Sequence, residues 1–467
     1  MRKLNIGRDY KNVFFIGIGG IHMSGMARIL KTAGYNVSGS DKNRSKTTDE
    51  LVEAGINVFV GHDASHITKE IDLVIFTAAV PPENPEFVQA LEIGVEIAER
   101  AKILGLIMKN FERPICISGT HGKTTTTSMI TEIFNGSGRD STAIIGGVLP
   151  SIGGSLQIGD GSCFIAESCE YYDAFLQFFP YVGVILNVDF DHSDYFGTLE
   201  RMRQSFKKFA ARIDENGWLV VFNGIDNLQE ITDGIKCGII TYGMENADYT
   251  AEKIEYDELG RASFDVYFKG SFYERIAMSV PGEHNVLNAL AAIAASRAAD
   301  EFSEEEIKKG MALYRGTNRR FELKGKLKNG AVIYDSYSHH PTEIRADLSA
   351  YLKMEKDRLW CVFQPHTKKR TYEFVEDFAK CFNMADIVII LDIYVPVGRE
   401  ETDCEITSCQ LLDKIKQNGH ENAFYFQSFE EAEKFILKNI FPHDLLVTMG
   451  AGDIVFLGES MLLKDEA

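Results

Sequence analysis

"PICISGTHGKTTTTSMITEIF", residues 114–134, sets an apolar run against a glycine-bounded loop and follows it with an amphipathic stretch. Strand, loop and helix in that order are the setting of a phosphate-binding loop. Gly119 and Gly122 let the backbone turn its N–H groups inward around phosphate oxygens, and the helix start adds the positive end of its dipole. Lys123 is placed to reach the β- and γ-phosphates and the Thr124 hydroxyl to ligate Mg²⁺. The threonines that follow are expected to cap the open first-turn amides with their hydroxyls. The pattern is G-x-x-G-K-T, tighter than G-x-x-x-x-G-K-[ST], because position 117 is Ile. An ordinary glycine turn before a helix is the plainer alternative.

A magnesium–phosphate site needs acids and imidazoles nearby, and two later apolar runs end in them. CFIAESCEYYDAF carries Glu167 and Glu170, and VGVILNVDFDHSDYF carries Asp189, Asp191 and His192. In parallel α/β sheets the site lies beyond the carboxyl ends of the strands, where these residues project. Further on, PGEHNVLNALAAIAAS (281–296) reads as an alanine-rich helix whose Asn285 either caps its start or meets a base edge.

Short β-rich runs alternate with helix-period stretches from end to end, which predicts βαβ units and largely parallel sheets. Besides the loop at 119, two places look like fresh starts. One is residues 13–41, a strand, a glycine cluster and a helix; the other begins at AVIYDSYSHHPTEI, residues 331–344. With Pro114 breaking whatever precedes it, the sequence predicts three domains, 1–111, 112–319 and 320–467. Residues 245–280 read as a small antiparallel excursion on the central domain, and TYEFVEDFAKCFNMA (371–385) as a helix-period stretch.

At 467 residues the chain is too long for one core. Its net charge of −19, from 49 basic against 68 acidic residues, excludes a general nucleic-acid binder but not a local anion site. No apolar run reaches the ~20 residues that span a bilayer, and no leader pattern opens the chain, so a cytoplasmic protein is expected. The eight cysteines contain no C-x-x-C pair, and the nearest pairs, Cys163/Cys169 and Cys404/Cys409, lack zinc spacing; reduced thiols are expected.

Taken together, GTHGKTT (119–125), ESCEYYDAF (167–175), NVDFDH (187–192), PGEHNVLNALAA (281–292) and GTNRRF (316–321) occur in the order seen in the Mur ligases, and the chain resembles that family. FFIGIGGIHMSGMARIL, VSGSD, SHHPTEI, FQPHTKKRT and MGAGDI extend the likeness from about residue 12 to about residue 458. The resemblance implies an α/β protein of three domains: N-terminal Rossmann-like, central P-loop ATPase-like with a mostly parallel sheet, and C-terminal Rossmann-like. It implies an ATP-dependent amide ligase of cell-wall synthesis, with ATP as co-substrate, Mg²⁺, and UDP-N-acetylmuramate and L-alanine as small-molecule substrates, acting as a monomer or homodimer.

By the same resemblance Gly119, Thr120, His121, Gly122, Lys123, Thr124 and Thr125 bind the ATP phosphates, with His284, Asn285, Arg319 and Asp335 also on the nucleotide. Thr124, Glu167, Glu170 and His192 are the implied metal ligands. Gly17, Gly19, Gly20, His22, Ser24 and Asp41 take the UDP-sugar. Lys123, His339, His340 and Arg370 are the implied catalytic groups, with His366 and Arg370 on substrate. A histidine titrating near neutral pH, His339 or His340, is expected to manage the amine proton.

Two places depart from the pattern. In Gly17-Ile18-Gly19-Gly20-Ile21-His22 the third glycine of G-x-G-x-x-G is His22. A nicotinamide-binding unit with Asp41 on the ribose is the other reading of that loop. In YDSYSHHP (334–341) the family's usual pair of acids is Asp335 followed by Ser336. That loss leaves open a relative that adds a preformed peptide or a different amino acid, or a protein that binds nucleotide and UDP-sugar without turnover. Lys207 falls loosely where several Mur ligases carry a carbamylated lysine and is read as a solvated helix residue.

Overall fold

Every apolar run that the sequence marks as a strand is one, because Val-, Ile- and Phe-rich runs suit a sheet buried on both faces. The computed structural model describes residues 4–77, 79–395 and 405–466. The first sheet has five parallel strands in the spatial order Asn57–Val60, Asn36–Asp41, Asn12–Ile16, Leu73–Phe76, Glu96–Glu99. The order reverses between Asn12–Ile16 and Leu73–Phe76, so a crevice for ligand opens at their carboxyl ends. Helix Ile21–Thr32 covers one face with Met23, Met26, Ala27, Ile29 and Leu30, apolar at three- and four-residue spacing.

A second sheet runs Ser271–Pro281, Arg261–Phe268, Tyr249–Tyr256, Gly238–Gly243, Trp218–Phe222, Val182–Ile185, Arg113–Ser118, Cys163–Glu167, Ser141–Leu149, Gly154–Gln157. Strand Arg113–Ser118 lies between Val182–Ile185 and Cys163–Glu167 and is parallel to both. Its register pairs Ile117 with Glu167 and Ser118 with Ile185. Residues 119, 168 and 186 therefore leave the sheet together at one end. Helix Lys123–Ser137 buries nearly its whole length and packs on helix Glu304–Leu313. There Gly136 meets Gly310 so closely that a Cβ on Gly136 would lie 2.6 Å from the Gly310 Cα.

The third sheet runs Glu322–Lys326, Val332–Ser336, Leu445–Met449, Leu359–Phe363, Ile387–Ile390, Ala423–Tyr425, parallel except for its first strand. Ser336 and Phe363 both pair with Met449, so residues 337–340, 364–366 and 450–452 share its carboxyl end.

By their contacts the residues form two units: 1–252, 265–276 and 287–314 in one, and 253–264, 277–286 and 315–467 in the other. The strands of 245–280 extend the edge of the central sheet, as the sequence suggests, while their contacts divide them between the two units. The three strands are shared, the hairpin at 253–264 and the stretch 277–286 belonging with the C-terminal sheet. The helix-period stretch 371–385 is helical, in two pieces, Lys368–Glu373 and Val375–Cys381, broken at Phe374 (φ −108°, ψ 18°). Seven cysteines are free, and Cys404 lies outside the described residues. Among the described residues no helix is long and apolar enough to cross a membrane.

Candidate functional site

The glycine loop at 119–122 opens onto an uncapped helix start. Gly119 (φ +133°) and Gly122 (φ +84°) take left-handed backbone that an L side chain resists, and a Cβ on Gly122 would meet the Asn288 Oδ1 at 2.6 Å. Gly122 is the N-cap of helix Lys123–Ser137, and no side chain caps it. The expected capping by threonines is therefore corrected: Thr125, Thr126 and Thr127 turn into the protein, Thr126 towards the Asn288 Oδ1 at 3.4 Å. Filling a core leaves the first-turn N–H groups open, which is what an anion needs.

The neighbouring loop pins the cradle. Thr120 Oγ1 donates to the Asp189 carbonyl (2.8 Å) and accepts from its N–H (3.0 Å), while the Asn187 amide pairs with the His121 N–H (2.9 Å) and carbonyl (3.0 Å). His121 Nε2 lies 3.4 Å from the Asp189 carboxylate.

Lys123 folds back over the loop, donating to the Gly119 and Thr120 carbonyls and to Glu170 Oε2 at 3.0 Å. Burial alone would lower the ammonium's pKa, but the Glu170 carboxylate outweighs it and holds Lys123 above its usual value. Glu170, 1% exposed, also faces His192 Nε2 at 3.8 Å. Glu167 instead accepts from the Gly146 N–H. Tyr172 (φ +53°), Asp173 (φ +55°) and His192 (φ +51°) all hold left-handed backbone, a cost that loops bear where side chains must be aimed. Tyr171 stacks on His192, ring centroids 4.3 Å apart.

Among the described residues no three or more His, Cys, Asp and Glu groups gather at metal-binding distances. Glu167, Glu170 and His192 thus line the same sheet end without forming a closed cage. The donor set still fits Mg²⁺, which keeps several waters and takes one or two carboxylates beside substrate phosphates.

At the first sheet, Gly17 N–H and Ile18 N–H donate to the Ser40 carbonyl (2.8 and 2.9 Å), and Gly19 N–H donates to Asp41 Oδ2 (2.9 Å). Asp41 thus braces the glycine loop from the strand alongside. Gly20 is the uncapped N-cap of helix Ile21–Thr32. Ser24 is buried, its hydroxyl on the Ile21 carbonyl at 3.0 Å. His22 sits in the first turn, where desolvation, then Arg100, push it down to about 3, so it is neutral.

No motif in the chain points to Glu86. It is fully buried and gathers Ser40 Oγ (2.6 Å), His62 Nδ1 (2.8 Å) and His66 Nδ1 (2.7 Å). These partners lie 20 to 46 residues away and follow no motif. Gly146, Asn187 and Asn288 were missed for the same reason.

In the C-terminal unit Arg319 (φ +62°) donates to Asp335 Oδ2 (3.0 Å) and to the carbonyls of Gly450 (2.7 Å) and Gly452 (3.0 Å). Asp335 is fully buried, its other oxygen accepting from Thr448 Oγ1 at 2.6 Å. Both Asp335 oxygens are thus engaged, and burial raises its carboxyl against the pull of Arg319. His284 stacks on Phe321 (5.7 Å) and is pushed down to about 4 by burial and Arg320. Asn285 Nδ2 donates to the Pro281 carbonyl at 2.6 Å.

His339, His366 and Arg370 come together: the two imidazole centroids are 5.8 Å apart and Arg370 Nη1 is 3.4 Å from His366 Nδ1. The expectation of near-neutral titration is corrected for His339. Burial chiefly, helped by Arg370 and His366, pushes His339 down to about 3. His340 is buried and serves as the N-cap of helix Pro341–Leu352, its Nδ1 accepting from the Thr342 N–H at 3.3 Å.

A glycine-lined cradle with a buried lysine–carboxylate pair, set between two doubly wound domains in the sequence, defines a class of nucleotide-dependent ligase. Three family models divide the chain: the Mur ligase family catalytic domain matches residues 12–112, the Mur ligase middle domain 117–296 and the Mur ligase glutamate ligase domain 319–452. The chain belongs to the Mur ligase family. Within it, the chain is similar to UDP-N-acetylmuramate–L-alanine ligase of Lachnospira eligens, 46% identical over 97% of this chain and 99% of that one. The enzyme of that name from Agathobacter rectalis is also 46% identical, over 97% and 98%. Among solved structures, the UDP-N-acetylmuramate-alanine ligase of Thermotoga maritima superposes with a TM-score of 0.82 at 29% identity, covering 97% of this chain and 99% of that chain.

Proposed function

We propose that this enzyme uses ATP to join L-alanine to the lactyl carboxylate of UDP-N-acetylmuramate, in the cytoplasm, as a step of peptidoglycan precursor synthesis. The observation that carries it is the uncapped helix start at Gly122 with Lys123 held across the loop by Glu170. The division 1–111, 112–319 and 320–467 assigns the UDP-sugar, ATP and the amino acid to one domain each.

A carboxylate is a poor electrophile, so its oxygen attacks the γ-phosphorus and ADP departs, giving an acyl phosphate. The amine of L-alanine then attacks the acyl carbon, and phosphate leaves as the amide forms. The amides of the helix start at Gly122 and Lys123 hold the β- and γ-phosphates, and Lys123 moves from Glu170 to the charge that develops on them. Mg²⁺, when bound, would be held by Thr124, Glu167 and His192, with Glu170 in support, and would supply further charge neutralisation.

Gly17, Gly19 and Gly20 take the UDP pyrophosphate, with Asp41 bracing their loop and His22 and Ser24 in the helix turn behind it. Arg319, steadied by Asp335, faces the nucleotide with His284 and Asn285. His339 acts by hydrogen bonding rather than by titrating. Its Nδ1, 3.0 Å from the Tyr337 carbonyl, must carry the proton, which leaves Nε2 as an acceptor for the amine. His366 and Arg370 complete that subsite.

The test is phosphate release from ATP and UDP-N-acetylmuramate with each of the twenty amino acids and with a tripeptide. Release with L-alanine alone is expected, and Lys123→Ala should lower it by about a thousandfold or more. Release with the tripeptide and not with L-alanine would assign the chain to peptide addition instead.

A further inference from the structure

Strand Val332–Ser336 ends on the hydroxyl that stands where an acid was expected, and a carboxylate meets it from the helix that follows. Asp347, on helix Pro341–Leu352, accepts on its Oδ2 from Ser336 Oγ and from Ser338 Oγ, the latter at 2.6 Å. The two hydroxyls are 3.1 Å apart, and Ser338 N–H donates to Ser336 Oγ at 3.3 Å. All three residues are buried, Asp347 being 5% exposed. The network closes the base of the turn 337–340, from which Tyr337, His339 and His340 project.

The charged groups around Asp347 make its retention informative. Glu343, one helical turn earlier, accepts from the His339 N–H at 3.2 Å and lies 3.7 Å from Arg320. Arg320 acts on Asp347 only at longer range and makes no ion pair with it, and the Tyr351 phenol lies one turn further along the helix. Burial raises the Asp347 carboxyl to about 6, and the two hydroxyls pull it down less than burial lifts it. An amide of the same size would fill the space without desolvating a charge. A buried carboxylate held by two hydroxyls, under the turn that carries His339, has the chemistry to hold a local negative potential there.

We propose that Asp347 is a positioning residue of the amino-acid subsite, its carboxylate acting through Ser336 and Ser338 to set the turn that carries His339 and His340. In effect the acid missing at 336 is returned through space from 347. The proposal rests on the ligase reading given above.

The experiment compares the wild type, Asp347→Ser, Asp347→Asn and the double variant Ser336→Asp with Asp347→Ser. Each is melted thermally and assayed for kcat and for the KM of ATP, UDP-N-acetylmuramate and L-alanine. Asp347→Ser is expected to raise the L-alanine KM about tenfold or more. The KM values for ATP and the UDP-sugar should stay within about twofold. Asp347→Asn should fall between, and the double variant should recover most of the loss.

Histidine-labelled NMR on the same proteins, with ring signals assigned through His339→Gln and His340→Asn, reads the turn without turnover. The His339 and His340 signals are expected to shift in Asp347→Ser and return in the double variant. Unmoved ring signals, a wild-type L-alanine KM in Asp347→Ser, or a double variant that regains its melting temperature but not its KM would each overturn the proposal. A wild type that releases no phosphate with L-alanine would overturn the ligase reading separately, and the ring signals would still decide the role of Asp347.

Discussion

Asp347 also leaves a thermodynamic signature. Burial penalises the charged form and lifts its folded carboxyl from an ordinary 3.8 to about 6. The folded state therefore holds the proton more tightly than the unfolded chain does. The associated stability is fully present below about pH 4 and is lost as pH rises through 6. That difference corresponds to roughly 3 kcal/mol. Asp347→Asn should match the wild type near pH 4 and exceed it by up to that amount near pH 7, measured by urea denaturation at each pH. A constant difference across that range would mean that Asp347 is not the titrating group. None of this shows in the sequence, where Asp347 is one acid on a helix. Lys123 was legible because its loop is a contiguous pattern, but its pairing with Glu170 across 47 residues was not. Glu86, with partners on a strand, a loop and a short 3₁₀ turn, left no pattern at all.

The helix starts show most clearly where local rules led and where packing overruled them. Ser45, Ser303 and Thr407 cap their helices through capping boxes, as their sequences suggest. Four successive threonines at 124–127 suggest the same and do not do it, because the core takes Thr125, Thr126 and Thr127, leaving the helix start uncapped by any side chain. His340 is the converse case, a residue read as catalytic that caps helix Pro341–Leu352. Replacing it by Ala should cost about 1 kcal/mol of stability, whereas Asn, a good cap, should lose only a few tenths. Chemical denaturation measures this, and the activity of the Asn variant tells capping from catalysis. If His340→Asn keeps both stability and turnover, the cap is the whole of its role; stability kept with turnover lost returns it to the chemistry. Strands rich in Val, Ile and Phe were legible throughout. Short or glycine-broken ones such as Ser141–Leu149 and Ala423–Tyr425 were not, since periodicity needs more residues than they offer.

On the scale of the whole chain, three family domains lie in order along the sequence, yet the chain passes between its two units at 252/253, 264/265, 276/277, 286/287 and 314/315. Sequence reasoning finds starts, such as the loops after residues 16, 118 and 336, because each begins a βαβ unit. It does not find a hairpin tip that packs away from its own base. The C-terminal unit uses that tip: Lys353 lies 3.9 Å from the Tyr256 ring centroid, His284 stacks on Phe321, and Phe264 is fully buried. A fragment of residues 315–467 would keep its six-stranded sheet but lose these contacts and expose the Phe321 and Tyr351 rings, themselves packed at 4.9 Å. Losing one buried aromatic and a cation–π contact amounts to on the order of 3 kcal/mol. At about 2–4 °C per kcal/mol for a domain of this size, the fragment should melt roughly 6–12 °C below the same sheet in the full chain. Hydrogen exchange at strand Leu445–Met449 during heating reads that sheet in both proteins. Equal midpoints would mean that the residues at 253–264 and 277–286 add nothing to the fold they accompany, and that the cut at 314/315 is a true domain boundary.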